Sequence, residues 1–375
     1  MRVTLFSGFD SKLNPYILLF KKSLEDEGIR VELEREFSLR WLLSKGRFSD
    51  SIHLHWISFV FDIYKEKVGS RSIGFLLRNR LVKILLEAMG LVDFFVALSI
   101  ARLQGKIVTC TIHDLDHFGK PFGKQSLRGI MFIRVAHHIL FLFAHSIHVH
   151  NHYTQRLMET RYRKKDNIVV IPHGNYIGYY PNQVSKSEAR RQLDLPEKAF
   201  VYLFLGLLRS YKGLEDLFKV FKRLKWPECQ LVVAGRVFGD NTLKRELCSL
   251  AFENSNIKLI PEFIPDEAIQ LYMNACDVFI LPYQHITTSG AAALALSFGR
   301  PVIAPSITSF PEIINTKAGI LYDTSGPNGL LTAMREARTR SWSEAEILDH
   351  ARKFDWNKLG PEILNLYRNQ SNKRS

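Results

Sequence analysis

Residues 278–305 read VFILPYQHITTSGAAALALSFGRPVIAP. The apolar run from Val278 to Leu281, stopped by Pro282, reads as a buried parallel strand ending at a sheet edge. Small polar residues follow, Thr287, Thr288, Ser289 and Gly290. A helix-compatible run then extends from Ala291 to Phe298, and Gly299 supplies its C-terminal stop. A second strand, Pro301 to Ala304, begins at once. Strand, loop, helix, strand is the unit of a parallel α/β sheet, with the loop and helix start at its carboxyl edge. The first amides of that helix lack intrahelical partners and carry the positive end of its dipole. Nothing bulky at Ser289, Gly290 or Ala291 keeps a phosphate away from them. An ordinary helix capped by Thr or Ser has the same sequence, so the stretch decides the fold before it decides a ligand.

The same alternation surrounds it. Upstream come a strand at Phe200 to Leu205, a loop Gly206-Leu207-Leu208-Arg209-Ser210-Tyr211-Lys212-Gly213, and a helix over 214–225. Strands at Gln230 to Ala234 and Ile257 to Leu259 follow, with helices near 241–252 and from Asp266 to Asn274. The first half repeats the rhythm. Val3 to Phe6 is a strand running into Ser7-Gly8-Phe9-Asp10, and Gly8 permits a sharp turn beside a ligand. A helix opens at Asn14-Pro15-Tyr16 and closes at Gly28. Further strands are expected at Ile29 to Leu33, Ile52 to Trp56, Ile107 to Ile112, Ser146 to Val149 and Ile168 to Ile171. Residues 72–104 carry helical periodicity, broken at Gly90. Four of these strands run into histidine-bearing loops, and in a parallel sheet such loops share one edge. The polar, Pro-bearing segment 176–198 reads as the linkage. The expected domains are 1–180 and 181–355, with 356–375 as a terminal helix and tail.

The chain has 375 residues, 46% hydrophobic and 23% charged, enough for two domains with real cores. Net charge is +14. The excess sits in front: residues 1–180 hold 26 Lys and Arg against 16 Asp and Glu. Such a surface attracts anionic lipid, nucleic acid or acidic substrates, and also serves plain solubility. Cys110, Cys229, Cys248 and Cys276 show no CxxC spacing and read as reduced, cytosolic thiols. The start MRVTLFSGFD does not read as a signal peptide. Apolar segments 81–101 and 130–149 each contain charged or histidine side chains, which argues against a membrane span and leaves a place on a membrane surface open.

Two constellations could carry chemistry. Arg209 and Lys212, a planar fork and a point charge, sit in a glycine-flanked loop of the same half-chain as Ser289 and Gly290 and suit a diphosphate. His113, Asp114, Asp116 and His117 end a strand and are the acid–base candidates, with hydrogen-bonded loop residues as the equal alternative. Asp114 and Asp116 form a DxD, but no metal site is expected from it here. His137, His138, His145, His148, His150 and His152 read mostly as core or surface histidines.

In this order, Asn14-Pro15-Tyr16, His53-Leu54-His55-Trp56, Thr111-Ile112-His113-Asp114, Ile171-Pro172-His173-Gly174, Gly206 with Arg209 and Lys212-Gly213, Thr288-Ser289-Gly290 and Phe298-Gly299-Arg300-Pro301 resemble a bacterial GT-B glycosyltransferase, close to family 4 and the mannosyl- and glucosyltransferases of exopolysaccharide assembly. The resemblance implies two Rossmann-like doubly wound domains facing a central cleft, the acceptor on the first and a nucleotide-diphosphate sugar on the second, with no metal or other cofactor. Gly8, His173, Arg209, Lys212, Thr288, Ser289 and Gly290 would hold the donor, Glu262, Phe263 and Ile264 would line its base, and His113 would lie near the transferred sugar. The expected partners are a nucleotide sugar, a lipid-linked or glycan acceptor and the anionic inner face of the plasma membrane, with no nucleic acid; the location is cytoplasmic, peripheral on that membrane. One departure stands out. Family 4 members usually carry two glutamates where this chain has Ile286 and Leu294, so ribose recognition differs. If the transfer inverts, Asp114, Asp116 or His117 would be the base; if it retains, contacts to donor phosphate and sugar suffice. A sugar-nucleotide epimerase on the same scaffold and a non-catalytic binder of anionic polymer are the alternatives.

Overall fold

The computed structural model describes residues 1–8, 15–57, 60, 80–113, 115, 127–238 and 241–368. Twelve strands form two six-stranded sheets, parallel throughout the described pairings. The first has the order β2-β1-β3-β4-β5-β6 and the second β12-β11-β10-β7-β8-β9. This is the expected pair of doubly wound α/β domains. One unit takes the described residues up to Gly174 together with the last helix, Trp356–Arg368, and the other runs Asn175–Asp355.

In the first sheet the strands are β1 (Arg2–Phe6), β2 (Arg30–Glu34), β3 (Ser51–Leu54), β4 (Ile107–Ile112), β5 (Ser146–Val149) and β6 (Ile168–Val170). Period-2 alternation sends Ile52, Leu54, Val108, Cys110, Ile147 and Val149 to one core, under helices Arg80–Leu103 and Leu127–Phe143. The other face is unusual for a parallel sheet. His53, Thr109, Thr111 and His148 point there, fully buried. The helices Pro15–Asp26 and Trp356–Arg368, packed on one another, belong to the core of that face. The end of the chain thus returns to finish the first unit.

Gly90 does not break its helix. Arg80–Leu103 runs through it, and a Cβ there would lie 2.1 Å from the carbonyl oxygen of Val60. The glycine marks a close approach of backbone, at a cost in propensity of about 1 kcal/mol. The segment 176–198 is likewise no free linkage. It contributes helix Lys186–Gln192, capped by Ser185, and a buried Arg190. Arg190 donates from Nε to the carbonyl of Ala275 at 3.0 Å and from Nη2 to Asp277 at 2.8 Å, and Asp277 also accepts from the amide of Val201 at 2.7 Å. A polar sequence is here an anchor of the second unit.

The second sheet comprises β7 (Phe200–Leu205), β8 (Cys229–Ala234), β9 (Ile257–Ile260), β10 (Val278–Ile280), β11 (Val302–Pro305) and β12 (Gly319–Tyr322). Its chain order reverses between β7 and β10, and that of the first sheet between β1 and β3. These are the switch points at which open α/β sheets leave a crevice beyond the strand ends.

Because Asp277 neutralises a buried guanidinium, Asp277→Ala should destabilise the protein by about 3 kcal/mol in urea unfolding, and a loss under about 1 kcal/mol would contradict this role for the pair.

Candidate functional site

At the switch point of the second sheet, the loops after β7 and β10 are tied together. The amide of Gln284 donates to the carbonyl of Tyr211 at 3.1 Å. Gly213 takes a left-handed conformation, φ 66°, and a Cβ on it would sit 2.1 Å from the carbonyl oxygen of Pro282. Only glycine lets the two loops meet so closely. Lys212 is consequently buried. Its ammonium donates to the hydroxyl of Tyr283 at 2.9 Å and lies 4.6 Å from the centre of that ring and 5.6 Å from that of Phe204. Burial pushes the Tyr283 hydroxyl up, and the nearby Ser289 side chain acts in the opposite sense. Ser289 caps helix Gly290–Ser297, accepting from the amide of Ala292 at 3.2 Å. Lysine and tyrosine form one hydrogen-bonded pair close to the helix cap.

Arg209 stands beside them with its guanidinium 4.3 Å from the ring centre of Phe238, and its Nε is buried without a hydrogen-bond partner among the described residues. Phe238 is brought there by pairing of the β7 and β8 loops, Leu208 against Val237. Burial, with the Arg209 charge second, pushes the Lys212 ammonium down from 10.5 to about 7. A desolvated ammonium and an orphaned guanidinium N–H are donors in want of an anion. Glu262, Phe263 and Ile264 follow β9 at the same carboxyl edge, and Phe263 is 63% exposed, an open ring face suited to stacking. Leu294, at one of the two departures, is buried and offers no polar group; Ile286 is half-buried.

The first sheet carries a different chemistry. Gly8 lies beyond β1 at its switch point, φ 71°, its amide donating to the carbonyl of Arg35 at 3.0 Å. His113 ends β4, stacked on Trp56 at 3.8 Å and edge-on to Tyr16 at 4.9 Å. Its Nε2 meets Nδ1 of His55 at 3.2 Å, and its Nδ1 meets Nε2 of His150 at 3.4 Å. His173 bonds the carbonyl of Gly174 through Nδ1 at 2.7 Å and lies 4.8 Å from the Tyr16 ring. Asp114, Asp116 and His117 lie outside the described residues. Burial drives His53, His55, His113 and His150 well below 6.5, and His148, His173 and, apart from this group, His137 down to about 4. Among the described residues no group of three or more His, Cys, Asp or Glu is placed to hold a metal ion.

Over this geometry, residues 185–353 match the family described as Glycosyl transferases group 1. The chain has the GT-B fold. A GDP-mannose:glycolipid 4-beta-D-mannosyltransferase of Xanthomonas campestris pv. campestris is 23% identical over 94% of this chain and 87% of its own length. A D-inositol 3-phosphate glycosyltransferase of Corynebacterium efficiens is 25% identical over 54% of this chain; the match spans about half of that relative, 51%. The crystal structure of the Anabaena protein HepE with UDP-glucose superposes with TM-score 0.69 at 18% identity, covering 97% of this chain and 98% of the other.

Within this GT-B fold the structure brings Arg209, Lys212, Ser289 and Gly290 to one edge of the second unit, with Thr288 just before the cap. Gly8, His113 and His173 lie in the first unit. Sequence reasoning missed Tyr283 and Phe238, which fix the two cations. It read His148 and His150 as core or surface histidines, and they are buried, but gave them and His53 and His55 no role in a site. The i, i+2 spacing repeated in 53/55 and 148/150 was the available signal, since it puts each pair on one face of a strand.

Two pH dependences follow. Histidines buried neutral stabilise the fold fully above their unfolded value of 6.5, and this contribution is lost as pH falls from there toward about 4. The melting temperature should drop steadily between pH 6.5 and 4.5, each such histidine contributing up to about 1.4 kcal/mol per pH unit; a flat profile would refute buried neutral imidazoles. Lys212 works in the opposite sense for an anion. Binding of a nucleoside diphosphate should weaken as pH rises past about 7, with proton uptake in calorimetry, and Lys212→Met should remove that dependence.

Proposed function

We propose that the chain transfers a hexose from a nucleotide-diphosphate sugar to a lipid-linked or polysaccharide acceptor in surface-glycan assembly. The observation that carries this reading is the buried Lys212, hydrogen-bonded to Tyr283 close to the Ser289 helix cap, with the Nε of Arg209 beside it, buried without a hydrogen-bond partner among the described residues. Two cationic groups and a helix start would share the diphosphate and offset the charge that builds on it as the glycosidic bond breaks. The ammonium, partly discharged while the site is empty, would regain its proton as the anion arrives. The first unit would take the acceptor, with His113 near the transferred sugar. The transfer would proceed without a metal, so EDTA should leave it unchanged.

The acceptor class draws support from the relative that matches over most of the chain, whose name specifies a glycolipid. Helix Arg80–Leu103 supports a place at the membrane. Its segment Leu81–Leu103 is apolar and long enough to cross a bilayer by length and composition, yet Phe94, Ala97, Leu98 and Ala101 are buried in the core of the first unit. The opposite side exposes Leu81, Leu85, Met89 and Val92, spaced three and four residues apart as one stripe. A core helix with an uncovered apolar stripe, in a half-chain of basic excess, suits docking on anionic lipid at the cytoplasmic face rather than spanning.

Thermal shift against UDP, GDP, ADP and dTDP should single out a nucleotide that raises the melting point, and Lys212→Ala should reduce the shift and abolish transfer while the protein stays folded. Full activity in Lys212→Ala would end this assignment. Product analysis with donor alone separates transfer from epimerisation, which needs no acceptor.

A further inference from the structure

The buried face of the first sheet holds a continuous chain of hydrogen bonds whose polarity can be read without seeing a hydrogen. A backbone carbonyl only accepts. The oxygen of Ile171 takes Nε2 of His148 at 2.8 Å and Nδ1 of His150 at 3.3 Å, so both nitrogens carry protons. A neutral imidazole has one N–H and one lone pair. Nε2 of His150 is therefore an acceptor, and the Nδ1 of His113 that meets it is the donor. Nε2 of His113 in turn accepts, and Nδ1 of His55 donates to it. On the other arm, Nδ1 of His148 accepts from the hydroxyl of Thr111 at 2.9 Å, Thr111 accepts from Nε2 of His53 at 2.7 Å, and Nδ1 of His53 accepts from Tyr367. Every link agrees with five neutral rings. The rings cannot flip freely: Trp56 covers His113 at 3.8 Å, and His53 stacks on His55 at 4.4 Å. Tyr367, at the far end, comes from the returning C-terminal helix.

We infer that His55 and His150 are positioning residues for His113, and that the carbonyl of Ile171 sets the tautomer of all three, holding His113 neutral with its proton on Nδ1 and its lone pair on Nε2. The mechanistic part rests on the reading above that His113 lies beside the transferred sugar. In that place such a ring offers a lone pair to a sugar hydroxyl. It offers no positive charge to a carboxylate or phosphate, so the group it receives is neutral. His55, whose Nε2 is buried without a partner among the described residues, is the donor a hydroxyl would replace at His113.

Long-range proton–nitrogen correlation spectra of the full-length protein labelled with ¹⁵N-histidine test this at pH 7, with His113→Gln to assign the central signals. Protons on Nδ1 of His55, His113 and His150 and on Nε2 of His53 and His148 are expected; an Nε2 proton on His113 or His150 would overturn the inference. His150→Phe removes the acceptor, and His113 should then shift toward the Nε2–H tautomer. Its kcat should fall on the order of tenfold or more with KM for the nucleotide sugar little changed, as happens when a catalytic imidazole loses the partner that sets its tautomer. His150→Gln, whose amide oxygen can accept the same proton, should recover most of the rate. An altered tautomer with unaltered kcat would overturn the positioning role. The expected tautomers in a wild-type protein that transfers no sugar from any nucleotide donor would instead refute the proposed function and leave the hydrogen-bond chain standing.

Discussion

Parallel pairing is the constraint from which the rest follows. A parallel strand cannot turn back on its neighbour, so each connection crosses over and every strand delivers its carboxyl end to one edge. Where the crossover direction reverses, two loops separate and leave room between them. In the second sheet that place falls between β7 and β10. Lys212, Arg209, Tyr283 and Ser289 stand on those two loops, and Phe238 packs against Arg209. Lys212 could not be buried as it is if Gly213 and Pro282 did not let the loops touch.

The two units apply opposite electrostatics. In the second, burial desolvates two cations that form no ion pair among the described residues, and the helix at Gly290 adds partial positive charge. A diphosphate would relieve all three at once. In the first, burial discharges histidines, and the rings on the polar face of the sheet are joined through neutral hydrogen bonds, with His55 Nε2 and Thr109 Oγ1 left without partners among the described residues. Such a face is tolerated only because nearly every donor meets an acceptor, and because helix Trp356–Arg368 brings Tyr367 to close one end of the chain. A partly filled network of the same residues would cost more than an apolar core.

Local pattern carried much of this. The strands Phe200–Leu205 and Cys229–Ala234 and helix Leu214–Leu224 fall where alternation and periodicity put them, to within a residue or so at either end. Gly90 shows where local reasoning stops. In sequence it is a helix breaker, but its meaning comes from Val60, thirty positions away, whose carbonyl occupies the space a Cβ would need. Arg190 is similar: a charge in a polar stretch reads as solvated until Asp277 is seen to be its partner.

The residues alone determined the two α/β halves, the carboxyl edge, and the company of Arg209 and Lys212 with the helix start at Ser289. Those features follow from hydrophobic period and from loop position after a strand, which are properties of neighbours in sequence. Strand order, the return of the last helix to the first unit and the histidine chain were decided by tertiary structure. His53, Thr111, His148 and His150 meet only because β4 lies between β3 and β5 and because the buried face is roofed by residues from the far end of the chain. No window of sequence contains that information, since the contacts join segments up to 314 positions apart.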